Sequence, residues 1–323
     1  MSFNDNAART LSLATRTIGI IICMSSSFPN SINLANAQDV TPKQPENSYE
    51  KEILDWQAAN EKRLQDPFGW LALTGHYWLQ EGTNSVGSEA NSQIKLPQNL
   101  APHTSGSIFV KGRTVEFRTG PNSPIQINGK SEPKMTLTID TSEAESDGSD
   151  TITIGDRIRL QLVRRVGRFA IRVRDRESSL LKEFEGKKWH APRPEYRVEA
   201  TFTPYEPVKS IQIVNIQGDS VETKVVGSLK FRIQEKDLQL DAFSESPDSL
   251  FLVFKDRTSG KTTYAPGRFL TTEAPVNGRV ILDFNKAYNP PCAFSPHTLC
   301  PLPPKQNHLD IEIAAGELKP AHD

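Results

Sequence analysis

The sequence is short of cysteine, has no apolar run long enough to cross a bilayer, no surplus of charge of either sign and no clear internal repeat. Each shortage excludes something. Three cysteines in 323 residues cannot make a disulfide-dense scaffold. The run IGIIICM at residues 18–24 falls well below the roughly 20 apolar residues a transmembrane helix needs. Lysine and arginine number 38 against 39 aspartates and glutamates, so net charge calls for no nucleic-acid partner. The absence of a repeat sets solenoids and propellers aside.

The apolar run has its own reading. Arg9 and Arg16 precede or adjoin it, and a polar stretch then ends in Ala35-Asn36-Ala37 before Gln38. Basic region, apolar region and small-x-small site is the order of a secretory signal peptide. We therefore expect a leader over residues 1–37 and a periplasmic or extracellular product. Ile22 stands before Cys23, where lipoprotein processing wants a small residue. The alternative is an uncleaved N-terminal tail.

Polar, proline-containing residues 38–47 are expected to be mobile. Asn47 and Glu50 fit a capping box, and Ile53, Trp56, Asn60 and Leu64 recur at helical spacing until Pro67 and Gly69. The aromatic-rich patch that follows, through Leu79, is expected to pack this helix on a sheet, so residues 48–83 form one block. His76 within it has no catalytic partner nearby in sequence. From residue 84 onward, short alternating runs such as TITIG, RIRLQLV, FAIRVR and LFLVF, cut by Gly, Pro, Asn and Asp, predict a mainly β protein. We expect a β-sandwich half over 84–181, a hinge at 182–195 and an antiparallel sandwich or barrel over 196–323.

In DRIRLQLVRRVGRFAIRVRDRE, apolar residues alternate with Arg157, Arg159, Gln161, Arg168, Arg172 and Arg174 around a turn near Val166-Gly167. Such a basic face suits a polyanion, or is a solvated sheet face or one matched to acids elsewhere. SGKT at 259–262 lacks the earlier glycine of a phosphate-binding loop, Lys255 standing there, and reads as a turn.

Polar residues near predicted strand ends make a candidate ligand pocket: Asp256, Tyr264, Arg268, Asp283, Asn285, Tyr288 and Asn289. Structural pairing of Asp256 or Asp283 with Arg268 is the competing reading. Just beyond, YNPPCAFSPHTLCPLPPKQNH holds Cys292, His297, Cys300 and His308. The step between the cysteines matches no usual short zinc spacing, and export disfavours a free catalytic thiolate. A Cys292–Cys300 disulfide is the favoured reading, with a metal site and unpaired thiols as alternatives. No cofactor is expected.

The stretches DPFGWLALTGHYWLQEG, VGSEANSQIKLP, FKDRTSGKTTYAPGRFL, VILDFNKAYNPPCAFSPHTLCPLPPKQN and AAGE resemble the family catalogued as domain-of-unknown-function family 1684. The resemblance covers most of residues 51–318 and implies a paired Cys292 and Cys300 beside an Asp, Asn and Tyr cluster, but no activity. Residues 85–165 also resemble forkhead-associated domains in strand and turn order, which implies a β-sandwich. Ser88 replaces that family's phosphate-reading arginine, so phosphopeptide recognition does not carry over. The function expected is non-catalytic binding of a small polar ligand or an envelope glycan, lipid or polyanion. The alternative is a hydrolase using Asp256 or Asp283 with Tyr264 and Arg268.

Overall fold

A computed structural model of the protein describes residues 45–100, 105–120, 123–138, 150–246 and 248–321. The leader read at residues 1–37, and 38–44 of the segment after it, lie outside the described residues. The described residues fall in one compact unit. It is mainly β, as the alternating runs predict, with one long helix at its start.

That helix, α1 (Pro45–Leu64), buries Ile53, Gln57, Asn60 and Leu64. These lie on one stripe, because residues three and four apart share a helix face. Trp56 sits beside the stripe. The chain leaves the helix in a tight turn in which the Asp66 carboxylate accepts the Phe68 N–H at 2.8 Å.

Ten strands follow: β1 (Leu73–Trp78), β2 (Gly82–Gly87), β3 (Ile94–Lys95), β4 (Ser105–Lys111), β5 (Thr114–Thr119), β6 (Ile125–Ile127), β7 (Lys134–Thr136), β8 (Thr151–Ile154), β9 (Ile158–Arg165) and β10 (Arg168–Asp175). They make two sheets, ordered β1-β10-β9-β8-β6 and β3-β2-β4-β5-β7. Both sheets contribute to one apolar core, Ile108, Val115 and Phe117 from one meeting Ile152, Leu160 and Ile171 from the other. This is a two-sheet sandwich. The β9–β10 hairpin turns at Val166 and Gly167, at φ of 50° and 73°, as a two-residue hairpin loop with left-handed central residues requires.

The second half carries β11 (Arg197–Val214), β12 (Ser220–Ile233), β13 (Lys236–Ser246), β14 (Ser249–Phe254), β15 (Arg268–Glu273) and β16 (Arg279–Asp283). Their order is β15-β14-β13-β12-β11-β16, and β15 and β16 come together at the ends to give a nearly closed barrel. Leu229, Leu240, Leu252, Phe254 and Phe284 fill it, with Ile311 and Ile313 from the C-terminal segment. Fully buried Asn307 is its polar tie. Its Oδ1 accepts the Asp241 N–H at 2.7 Å, and its Nδ2 donates to the carbonyls of Asp241 and Val253, each at 2.9 Å.

Residues 182–195, expected as a hinge, run as a strap beside the C-terminal segment: the His190 N–H donates to Gly316 O at 2.9 Å and the Leu318 N–H to Lys188 O at 2.8 Å. Gly316 has φ of 78°, and a Cβ there would lie 2.5 Å from Ala287 O. The AAGE stretch therefore needs its glycine for conformation and for space.

Candidate functional site

A cleft of about 1190 Å³ opens where α1, the sandwich and the barrel meet. Trp56 and Asn60 reach it from the helix, Arg159 and Arg174 from the sandwich, and Tyr288 and Asn289 from the segment after β16. Trp56 is packed in place edge-on to Trp189, with ring centroids 5.8 Å apart, and tilted on Tyr288 at 6.3 Å. These rings are held by barrel and strap, so the aromatic wall is preformed.

Several carboxylates of the cleft already have partners. Glu52 pairs with Lys286 at 2.6 Å and Glu199 with Arg279 at 3.0 Å. Asp283 accepts from the Tyr49 hydroxyl at 3.0 Å and from Asn285 N and Nδ2 at 3.1 and 3.0 Å. Burial, with the Asp283 charge next, pushes the Tyr49 phenol well above its ordinary range. Arg159 differs. Its guanidinium lies 4.1 Å from the centre of the Phe68 ring, it has no carboxylate partner among the described residues, and its buried Nε has no acceptor there. A cation stacked on an aromatic face stays planar and oriented while its edge remains available.

Deeper in, Lys187 Nζ donates to Asn60 Oδ1 at 2.6 Å and to Glu317 Oε2 at 2.9 Å, with Lys187 and Glu317 side chains only 3% and 2% exposed. Burial lowers the ammonium's pKa and raises the carboxyl's. The same carboxylate oxygen accepts the Asn289 N–H at 2.8 Å, and Asn289 Nδ2 donates to Leu318 O at 2.7 Å. These bonds fix the amide's orientation. Its buried Oδ1 is left without a partner among the described residues, a fixed acceptor on a residue that lines the cleft.

The seven residues of the sequence-predicted pocket are not brought together. Asp283, Tyr288 and Asn289 line the cleft. Asn285 lies behind it, tying Arg193 and Tyr49 to Asp283. Asp256 and Arg268 form a buried ion pair inside the barrel, 2.6 Å apart. Tyr264 lines a separate cavity of about 270 Å³, where its hydroxyl donates to Cys292 O at 3.1 Å. Cys292 also lines that cavity; Cys300 is buried, and both are free thiols in the structure.

Sequence reasoning missed Trp56, Asn60, Lys187 and Glu317 as site residues. Trp56 was legible only as part of an amphipathic stripe, and Lys187 lay in a stretch read as a hinge. The basic hairpin is distributed otherwise than on a solvated face. Arg172 and Arg174 are buried, their guanidinium carbons 5.0 and 5.3 Å from the Trp70 ring centre, and Arg174 donates to the carbonyls of Phe68 and Gly69 at 2.7 and 2.8 Å. Arg157 is paired with Asp175 at 2.8 Å.

His76 lies beside this arginine cluster, edge-on to Trp78 with centroids 4.8 Å apart, and neither ring nitrogen has a partner among the described residues. Burial, then the charges of Arg172, Arg165, His297 and Arg168, push its pKa down from 6.5 to about 4. A folded-state pKa below the unfolded one means stability that is present above the unfolded value and lost as pH falls through the folded value. We therefore expect His76→Phe to flatten the loss of stability between pH 6.5 and about 4, read from melting temperature against pH. An unchanged acid limb would remove His76 from that account.

Fold and site together define a class: a mainly β protein, sandwich followed by nearly closed barrel, with a mixed aromatic and charged cleft. Residues 182–318, the strap and the barrel half, match the family described as protein of unknown function DUF1684. Among solved structures the chain is similar to the solution NMR structure of an uncharacterized protein from gene locus rrnAC0354 of Haloarcula marismortui, at 34% identity, covering 42% of this chain and 78% of that one, with a TM-score of 0.36. No curated protein matches the chain.

Proposed function

We propose that the protein binds a small polar ligand carrying an anionic group, without transforming it, in the cleft between α1, the sandwich and the barrel. The observation that carries this reading is Arg159, stacked on Phe68 at the cleft wall with no carboxylate partner among the described residues. Trp56 and Tyr288 offer apolar faces for a sugar or other ring. Such a mixture of aromatic surface and a few oriented polar groups is what small-ligand sites present. The compartment inferred from the N-terminal pattern, periplasmic or extracellular, makes envelope glycans bearing uronic acids the first class to try. The same reading proposes export with cleavage near Ala37-Gln38 and oxidation of Cys292 with Cys300 there; intact mass of the exported protein tests both.

The binding test is calorimetry and tryptophan fluorescence with glucuronate and galacturonate oligosaccharides against their neutral counterparts. The expected result is binding of the acidic series alone, weakened at least tenfold, about 1.4 kcal/mol, by Arg159→Gln and by Trp56→Ala, with melting temperatures little changed for Arg159→Gln. Equal binding of neutral and acidic series, or affinity indifferent to Arg159, would refute the reading.

A further inference from the structure

We propose that Cys292 and Cys300 are a redox-active pair that exchanges disulfide for dithiol with small thiols entering through the smaller cavity, Cys292 being the sulfur attacked and Cys300 the sulfur that leaves. The inference does not rest on ligand binding in the larger cleft.

Three observations separate the two sulfurs. Access is the first: Cys292 is half-buried and lines the cavity with Tyr264, Phe294 and Lys188, whereas Cys300 is buried in the apolar cluster that includes Phe243, Phe251 and Phe269 and does not line that cavity. The second is the set of groups around Cys300. The Cys292 backbone N–H donates to Cys300 Sγ at 3.2 Å, and the Thr298 hydroxyl lies 3.7 Å away. In the dithiol, the hydrogen bond from the Cys292 side chain comes first, with Thr298, the Cys292 backbone N–H and the charge of Arg172 assisting, in holding the Cys300 thiol below its ordinary range, while the same pairing and burial push Cys292 up. Once Cys292 carries a mixed disulfide, the backbone N–H, Thr298 and Arg172 are what remain to favour the Cys300 thiolate. The third is Tyr264, whose hydroxyl donates to Cys292 O at 3.1 Å and lies 3.7 Å from Cys292 Sγ, a polar group of the cavity wall beside the attacked sulfur.

A disulfide that only staples a loop needs none of this. The Cys292 backbone N–H aimed at Cys300 Sγ stabilises that sulfur as a thiolate, and a better thiolate leaves faster and shifts the couple toward the dithiol. The step balances as follows. A low-molecular-weight thiolate attacks Cys292 Sγ; the Cys292–Cys300 bond breaks and its electron pair stays on Cys300, while the new bond is a mixed disulfide on Cys292. A second thiolate attacks the small-molecule sulfur of that mixed disulfide, releasing Cys292, and the two protein thiolates take up the protons given by the two thiols. One protein disulfide and two small thiols become one protein dithiol and one small disulfide.

The test uses the full folded chain in mixtures of reduced and oxidised glutathione, quenched by acid, alkylated in denaturant and weighed. We expect the two cysteines to convert together and reversibly without denaturant, and Cys300→Ala to take up glutathione on Cys292 at least tenfold faster than Cys292→Ala takes it up on Cys300. Conversion only in denaturant, no conversion at any glutathione ratio, or equal capture by the two variants would each overturn the proposal. Circular dichroism of both variants shows whether their folds are intact, and the wild-type titration decides the matter if either is not.

Discussion

Arg268→Ala is expected to destabilise the protein by about 3–5 kcal/mol, seen as a fall in Tm on the order of 10 °C. Arg268 is about 1% exposed and Asp256 beneath it is buried as well. One guanidinium nitrogen donates to Asp256 Oδ2 at 2.6 Å and to Ile313 O at 3.1 Å, and the other donates to Ala315 O. The second carboxylate oxygen accepts the Thr258 N–H at 2.6 Å and its hydroxyl at 2.5 Å. Removing the arginine strands a carboxylate and two carbonyls in the barrel, away from water. The loss is larger than the net worth of the pair, because an uncompensated buried charge is what remains. Arg268→Lys is expected to fall short of rescue, since one ammonium cannot reproduce a planar fork spanning three acceptors. Urea unfolding of both variants measures this; a loss under about 1 kcal/mol for the alanine variant would mean that the pair behaves as a surface one.

Lys187 and Glu317 lead to the second large effect, which is one of coupling. Lys187→Met and Glu317→Gln are each expected to cost about 3–5 kcal/mol, while the double variant loses much less than the sum. Burial moves the two groups in opposite directions, the ammonium down and the carboxyl up, so each resists its own charge and tolerates it through the other. A carboxyl raised on folding contributes stability at low pH that is lost as pH rises through its folded pKa. A lysine lowered on folding contributes stability at high pH that is lost as pH falls through its folded pKa. In Lys187→Met only the carboxyl side remains, and stability should decline as pH rises above the ordinary glutamate range. Chemical denaturation of the four proteins across pH closes the cycle. Additive losses, or a Lys187→Met variant indifferent to pH, would show that the groups act apart.

Much of the architecture was legible in residue order because strand periodicity is local. Ile158, Leu160 and Leu162 had to share a face whatever the fold, and the Val166-Gly167 turn followed from two runs with a short break between them. The helix was legible for the same reason, from apolar residues three and four apart, but its start was not: it begins at Pro45, so Asn47, read as the cap, lies within it. The Asp256–Arg268 pairing was legible as one of two readings, and burial now assigns the pair to the barrel interior. The cleft was not legible, because its walls come from residues more than two hundred positions apart, and no short-range pattern marks a lysine at 187 for a glutamate at 317 or an arginine at 159 for the ring of Phe68.

By itself, then, the order of residues determined the mainly β class, the single long N-terminal helix, the turn positions and the nearness of Cys292 to Cys300, all consequences of geometry within a few residues of chain. Tertiary structure alone decided which polar groups are structural and which are available. Burial and partners, not residue type, distinguish Arg268, held by Asp256 and two carbonyls, from Arg159, stacked on a ring at the edge of a cleft. A charge spends its hydrogen-bonding capacity on whatever the fold brings near it, and that choice is made over distances a sequence pattern does not span.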